Sequence, residues 1–309
     1  MKVTEPEDLK GLWAAIPTPW TRGGKFAPDT LERNIEKYAE IPMDGVYTTG
    51  SDGEFYAIER DEFEQLANTF GRAMEKTEMG AAMGVTWSHT QGVIDRMKIA
   101  LDHGVHAFHI AFPFWMPLAP GDVWRFWEDL AAAVPEARWI HYNTPRGHRV
   151  FHGPDYARLA ADFPEQFIGT KLPFNGLMEI VDCIESAPNV SHFMVEYTTV
   201  IGMMVGARGT YSYWANTLPH WTRRLTDLCW KKKWEEAMAM QKRLLVWENR
   251  HTKPLRDAGH LHGVIGKARG ELSGFLEDTG CTRPPYYPVD EKLREEYQKA
   301  FKEYWKDEL

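Results

Sequence analysis

The stretch "FIGTKLP" (167–173) decides how the chain is read. It is apolar on both sides of a single lysine and lacks a period-two alternation, as expected for a parallel strand buried on both faces. A helical pattern, "GPDYARLAADF" (153–163), precedes it, and another, "NGLMEIVDCIESA" (175–187), follows. Outward from there the same alternation repeats. The other expected strands are "LWAAIPTP" (12–19), "GVYTTG" (45–50), "GAAMGVT" (80–86) and "AFHIAFPFW" (107–115), then "RWIHYNTP" (138–145), "HFMVEYT" (192–198) and "GTYSYWAN" (209–216).

Amphipathic segments fill the gaps. "APDTLERNIEKYAE" has Pro28 and Asp29 near its start, and "ERDEFEQLANTFGRAME" opens with acidic residues, favourable at a helix N-terminus. "SHTQGVIDRMKIALDHG" is expected to start at Ser88 and stop at Gly104, "APGDVWRFWEDLAAAV" (119–134) to form the fourth helix, and a short seventh helix to span 198–207. Eight such units over about 220 residues predict an α/β fold, a (β/α)8 TIM barrel. A doubly wound open sheet is the rival, but no GxGxxG follows the first strand. After residue 217 the pattern is helical only. Residues 1–217 therefore read as the barrel strands and helices, and 218–309 as the last barrel helix plus an appended C-terminal helical region.

Composition narrows the function classes. The chain has 309 residues, 43% of them hydrophobic, so a sizeable core is expected. A formal net charge of −8 argues against nucleic acid as the main partner. No apolar run is long enough to span a bilayer. Cys183, Cys229 and Cys281 are odd in number and widely spaced, which fits a reducing, cytoplasmic setting better than a disulfide framework or a zinc site. The terminal "KDEL" reads as the charged end of the helix "EKLREEYQKAFKEYWKDEL", because "MKVTEPEDLKG" at the start has no apolar signal core. His89, His103, His106 and His109 straddle a helix end at Gly104, so no metal site is expected. His141 and His148 flank strand 5 and read as surface or core residues, and His260 and His262 as structural.

Chemistry in such a barrel sits at the C-terminal ends of the strands. The polar residues there are Thr18, Thr48 and Thr49, Tyr142 and Asn143, and Lys171. Lysine is almost never fully buried without a partner. In a low-dielectric site its pKa is expected to fall toward neutrality, and the free amine then forms a Schiff base with a carbonyl. Tyr142 could carry protons. A snorkelling or salt-bridged lysine, a core tyrosine and threonines chosen for β-propensity are the plainer alternatives.

"AAIPTPW", "TTG", "HYNTP", "GTKLP" and "GARGTYSYWAN" together resemble the pyruvate-dependent class I aldolase family that includes dihydrodipicolinate synthase and N-acetylneuraminate lyase. The 29-residue spacing from Tyr142 to Lys171 is close to that of the family. The resemblance implies a (β/α)8 barrel with a helical C-terminal region, usually in a homotetramer. It implies Lys171 as the Schiff-base lysine, Tyr142 as the proton-shuttling phenol, and Thr48 and Thr49 as holders of the keto-acid carboxylate. It implies no cofactor beyond the covalent imine with Lys171, and a small 2-oxo acid and an aldehyde as partners.

Departures from the family refine this. Trp115 stands where the synthase lends a second tyrosine to a neighbouring subunit, and Gly147, between Arg146 and Arg149, where it has a substrate-contacting arginine. "TTGSDGEFY" replaces the usual "TTGE", as though two residues were inserted before Glu54. These changes count against the synthase reaction. "FPFWMPLAPGDVWRFWEDLAAAVPEA" and "GKARGELSGFLEDTGCTRPPYYPV" are similar to the trans-o-hydroxybenzylidenepyruvate hydratase-aldolase branch, whose asparagine comes two residues after the strand-5 tyrosine, whereas Asn143 follows Tyr142 directly. The expected activity is a Schiff-base lyase joining or cleaving pyruvate and an aromatic or bulky aldehyde, with Trp115, and Phe112 and Phe114 nearby in sequence, facing the aldehyde and Asn143 in the pocket. The alternatives are a sugar-acid dehydratase or aldolase, using Tyr213, Asn216, Ser51 and Asp52 on hydroxyls, and a non-catalytic keto-acid binder.

Overall fold

The computed structural model describes residues 3–174, 176–277, 279–280 and 282–309. Among them, eight parallel strands close into one barrel, each paired with its sequence neighbours and the first with the last. They are β1 (Gly11–Ala15), β2 (Gly45–Thr48), β3 (Gly80–Gly84), β4 (Ala107–Ile110), β5 (Arg138–Tyr142), β6 (Phe167–Leu172), β7 (Ser191–Val195) and β8 (Gly209–Ser212). Closure between β1 and β8 excludes the open doubly wound sheet.

The helices between the strands are α1 (Pro28–Ala39), α2 (Arg60–Met74), α3 (Thr90–Asp102), α4 (Pro120–Ala133), α5 (Gly153–Asp162), α6 (Leu177–Ser186) and α7 (Thr199–Met204), with α8 (Pro219–Trp230) completing the ring. Pro28 and Pro120 stand in the first turns of α1 and α4, where a missing N–H costs nothing. The cap of α3 is His89 rather than Ser88: its Nδ1 accepts the Gly92 N–H at 3.1 Å. The strand expected over 107–115 stops at Ile110. The apolar run continues beyond it because Phe112 packs on Phe126 and Trp127 of α4 (ring centroids 6.0 and 5.7 Å) and Phe114 on Phe55 (5.9 Å).

Aromatic rings fill the barrel interior. Trp13 meets Phe193 and Tyr211 edge-on, Tyr211 meets Tyr47, and Tyr47 stacks on His109. Gly45 and Gly80 make room for the indole: a Cβ on either would lie 2.4 or 2.7 Å from a Trp13 ring atom.

Beyond α8 the chain continues as α9 (Trp234–Trp247), α10 (Lys253–Asp257), α11 (His262–Ser273) and α12 (Glu291–Tyr304). A π-helical turn, Glu248–Thr252, joins α9 to α10 and turns Glu248 inward, where it pairs with Arg269 at 2.9 Å and Arg256 at 2.8 Å. Lys267 of α11 pairs with Glu54 at 2.7 Å, and Glu54 also takes the Trp20 indole N–H and the Arg283 backbone N–H. These bonds tie the C-terminal region to the loop after β2. Glu308, within the terminal "KDEL", pairs with Arg224 at 2.7 Å. Cys183 and Cys229 are buried free thiols, and Cys281 lies outside the described residues. Among the described residues no helix is long and apolar enough to cross a membrane.

Candidate active site

Side chains alternate along β6, so Thr170 turns outward to His192 Nδ1 (2.9 Å) and Lys171 turns into the barrel. There Lys171 Nζ donates to Tyr47 Oη at 2.8 Å. The ammonium lies over the rings of Tyr142 (4.6 Å), Tyr47 (5.2 Å) and Tyr211 (5.7 Å). Tyr142 is its register partner on β5.

Burial pushes the lysine toward its neutral form, while the oxygens of Tyr47 and Tyr142 and the Asp52 carboxylate favour the ammonium, and the balance lies above the ordinary lysine value. Burial also raises Tyr47, which is therefore a neutral phenol at physiological pH and acts on the lysine as a hydrogen-bond acceptor. The expectation that burial would bring the amine to neutrality is thus reversed. The resting lysine is held as an ammonium. His109, stacked on Tyr47, is held neutral by burial and by the charge of Lys171.

The lysine opens into a cavity of about 200 Å³ that Tyr142, Asp52, Glu196, Tyr213 and Arg146 also line. Glu196 follows β7. It accepts the backbone N–H groups of Tyr213 and Trp214 (2.5 and 3.4 Å), and burial pushes its pKa up to about 7. A second cavity, about 260 Å³, is lined by Phe55, Tyr56, Phe112, Phe114 and Tyr286, with Thr49, Ser51 and His109 among its polar groups. Tyr142, Arg146 and His262 line both cavities, so the two meet there. A reactive amine in a polar chamber opens beside a larger aromatic one.

The structure brings together only some of the residues expected from the sequence. Lys171, Tyr142 and Tyr213 share the smaller cavity. Thr48 lines neither cavity, because Tyr47 takes the inward position of β2 and alternation turns Thr48 away. Thr49 lines the larger cavity, but its hydroxyl is committed to the carbonyls of Thr48 and Gly84, both at 2.8 Å. Asn143 gives both ends of its amide to the Phe151 backbone at 2.8 Å and lines neither cavity. Trp115 is 77% exposed and lines neither cavity, whereas Phe112 and Phe114 line the larger one. Asn216 is held by Tyr38 and the Ala15 carbonyl, and His141 bonds to Tyr156 behind the sheet. His262, expected to be structural, faces both cavities.

The model of the dihydrodipicolinate synthetase family matches residues 8–304. The chain belongs to that family. It is a class I, Schiff-base lyase of the pyruvate-dependent kind, which removes the non-catalytic reading. The trans-O-hydroxybenzylidenepyruvate hydratase-aldolase of Sphingobium xenophagum is 24% identical over 311 residues, covering 94% of this chain and 92% of that one. The 4-hydroxy-tetrahydrodipicolinate synthase of Chlorobium phaeovibrioides is 26% identical over 236 residues, 75% of this chain and 78% of that one. The fold is shared with YagE of E. coli K12 in complex with pyruvate (TM-score 0.86, 17% identity, 96% and 98% of the two chains). It is shared also with PhdJ bound to a substrate intermediate (TM-score 0.84, 21% identity, 100% of each).

Against the "TTGE" of this family, the residues that reach the cavities are Ser51 and Asp52, immediately before Gly53 and Glu54. The departure from "TTGE" therefore lies in the cavity lining itself. Tyr47 and Glu196 were also missed: one reads as an ordinary β-former, the other as a polar residue at a strand end.

Proposed function

We propose that the protein forms or cleaves a carbon–carbon bond between pyruvate, or a close 2-oxo acid, and an aromatic or bulky aldehyde. The observation that carries this is the aromatic cavity of Phe55, Tyr56, Phe112, Phe114 and Tyr286, which shares Tyr142, Arg146 and His262 with the lysine chamber. Lys171 attacks the keto carbon, and the protonated imine draws electrons from the bond that breaks. Asp52 and Glu196 put negative charge beside that cation and favour it over a neutral imine. With the Thr48 and Thr49 hydroxyls turned elsewhere, the carboxylate of the 2-oxo acid falls to the Arg146 guanidinium and the Ser51 hydroxyl. Tyr142 stands where the two substrates meet and serves the proton transfers of imine formation.

One observation favours a second reading. Asp52, Glu196 and Tyr213 give the lysine chamber a polar lining suited to hydroxyl groups, as a sugar-acid dehydratase or aldolase would need. The synthase reaction is disfavoured, because its exchanged tyrosine is replaced by Trp115. Borohydride trapping with pyruvate and peptide mapping tests the imine: an adduct on Lys171, absent in Lys171→Ala, is expected. A panel of aldehydes then separates the readings. Faster turnover with aromatic than with polyhydroxy aldehydes supports the first, and the reverse order overturns it.

A further inference from the structure

Three glutamates are almost completely buried: Glu54, Glu196 and Glu248. Two of them are fully compensated. Glu54 has Lys267 and two N–H donors, and Glu248 has Arg256, Arg269 and the Trp214 indole N–H. Glu196 forms no ion pair among the described residues. One of its oxygens takes the backbone N–H groups of Tyr213 and Trp214. Among the described residues no side chain donates to Glu196, and it lines the chamber that holds Lys171. A buried carboxylate without an ion pair is costly to keep for structure alone.

We propose that Glu196 is the proton-transfer residue of the lysine chamber, moving one proton between the hydroxyl of the imine-bound aldol and the carbon that becomes the pyruvate methyl group. In the cleavage direction its carboxylate takes the hydroxyl proton. The O–H pair becomes the aldehyde C=O, the C–C pair becomes the enamine C=C, and the C=N pair moves onto nitrogen. The carboxylic acid so formed then protonates the enamine carbon, the nitrogen pair restores the imine, and water releases pyruvate and the lysine amine. This rests on the preceding reading that a pyruvate imine forms on Lys171.

The surroundings suit the task. Burial raises Glu196, Lys171 pulls it down and Asp52 raises it, leaving it near the middle of the physiological range, where a group can both take and give a proton. Arg146, His262 and the phenols of Tyr142, Tyr197, Tyr211 and Tyr213 face the same cavity. Of these His262 is held neutral by burial, and the Tyr197, Tyr211 and Tyr213 phenols are pushed further from ionisation.

The test uses the full chain and pyruvate alone. In D2O, an imine in exchange with its enamine replaces the pyruvate methyl protons with deuterium, read as loss of the methyl signal in proton NMR. Borohydride trapping reads the imine separately. Glu196→Gln is expected still to trap pyruvate on Lys171, with methyl exchange per trapped imine slowed by about 10²-fold or more, and Glu196→Asp to recover part of the rate. Wild-type exchange is expected to fall as pH drops through about 7, a limb absent in Glu196→Gln. Wild-type exchange in a Glu196→Gln protein that still traps, or a wild-type profile flat across that pH, overturns the proposal. A wild type that forms no imine with pyruvate instead overturns the reading it rests on.

Discussion

Replacing Tyr47 by Phe isolates what holds Lys171 as an ammonium. The substitution keeps the ring that stacks on His109 and removes only the oxygen that accepts from Nζ at 2.8 Å. A hydrogen bond to a charged group contributes about 1.5–3 kcal/mol, and one pKa unit corresponds to about 1.36 kcal/mol. The bond favours the charged form, so its loss lowers the lysine pKa, by about 1–2 units on these figures. At a pH well below that pKa, the fraction of free amine rises about 10- to 100-fold. Cyanate carbamylates only the free amine, so the carbamylation rate of Lys171 at a mildly alkaline pH, followed by peptide mapping, reads that fraction directly. Tyr47→Phe is expected to accelerate it by that factor, with surface lysines unchanged as internal controls. The alkaline stability limb moves in the same sense. A raised lysine contributes stability that is complete below its unfolded pKa and is lost as pH rises through the folded one, so the variant loses its contribution at lower pH. Unchanged or slower carbamylation in a folded Tyr47→Phe protein would refute the claim that this phenol holds the proton on Lys171.

Other expectations follow from the paired glutamates and the aromatic cavity. Glu54→Gln leaves Lys267 buried without its carboxylate and is expected to lower unfolding stability by about 3–5 kcal/mol, measured by urea denaturation. Arginine neighbours hold Glu248 below the ordinary carboxylate range despite its burial, so its contribution is present above about pH 4.5 and is lost as pH falls through the folded value. Urea midpoints taken from pH 5 down to about 3 should therefore fall more steeply in the wild type than in Glu248→Gln. Phe114→Ala opens the aromatic cavity and is expected to raise the KM for aromatic aldehydes about tenfold, the scale of a lost apolar contact. Pyruvate trapping should be unaffected, because Phe114 does not line the lysine chamber.

The barrel was legible because its strands are buried on both faces and several of its helices open on Pro or acidic residues, signals that are local in the chain. Lys171 and Tyr142 were legible for the same reason: each stands at the end of an apolar run, and barrel chemistry collects there. The misreading of Thr48 has a different cause, the parity of side chains along extended backbone. Tyr47 faces inward, so Thr48 cannot, and that much the sequence could have supplied. Phe112 and Phe114 line the cavity, and Trp115, well past the end of β4, is exposed. The meeting of Tyr47 with Lys171, 124 residues away across the barrel, and the sharing of one chamber by Lys171 and Glu196 depend on closure. No local pattern contains either.

The same parity and closure explain why the C-terminal region belongs to the site. A buried ion pair is weak support for stability, since the desolvation of both charges offsets much of their attraction. What the Glu54–Lys267 pair does specify is position. Glu54 stands in left-handed backbone (φ 53°), held by Lys267 of α11, by the Trp20 indole and by the Arg283 backbone N–H. Thr18 closes the same turn by donating to the Gly53 carbonyl at 2.6 Å. The two residues just before this turn are Ser51 and Asp52, which reach the larger and the smaller cavity respectively. Helix α11 itself begins with His262, which lines both. The helices after the barrel therefore set the loop that brings Asp52 to the Lys171 chamber, and loosening Glu54 should disturb that chamber before it unfolds the barrel.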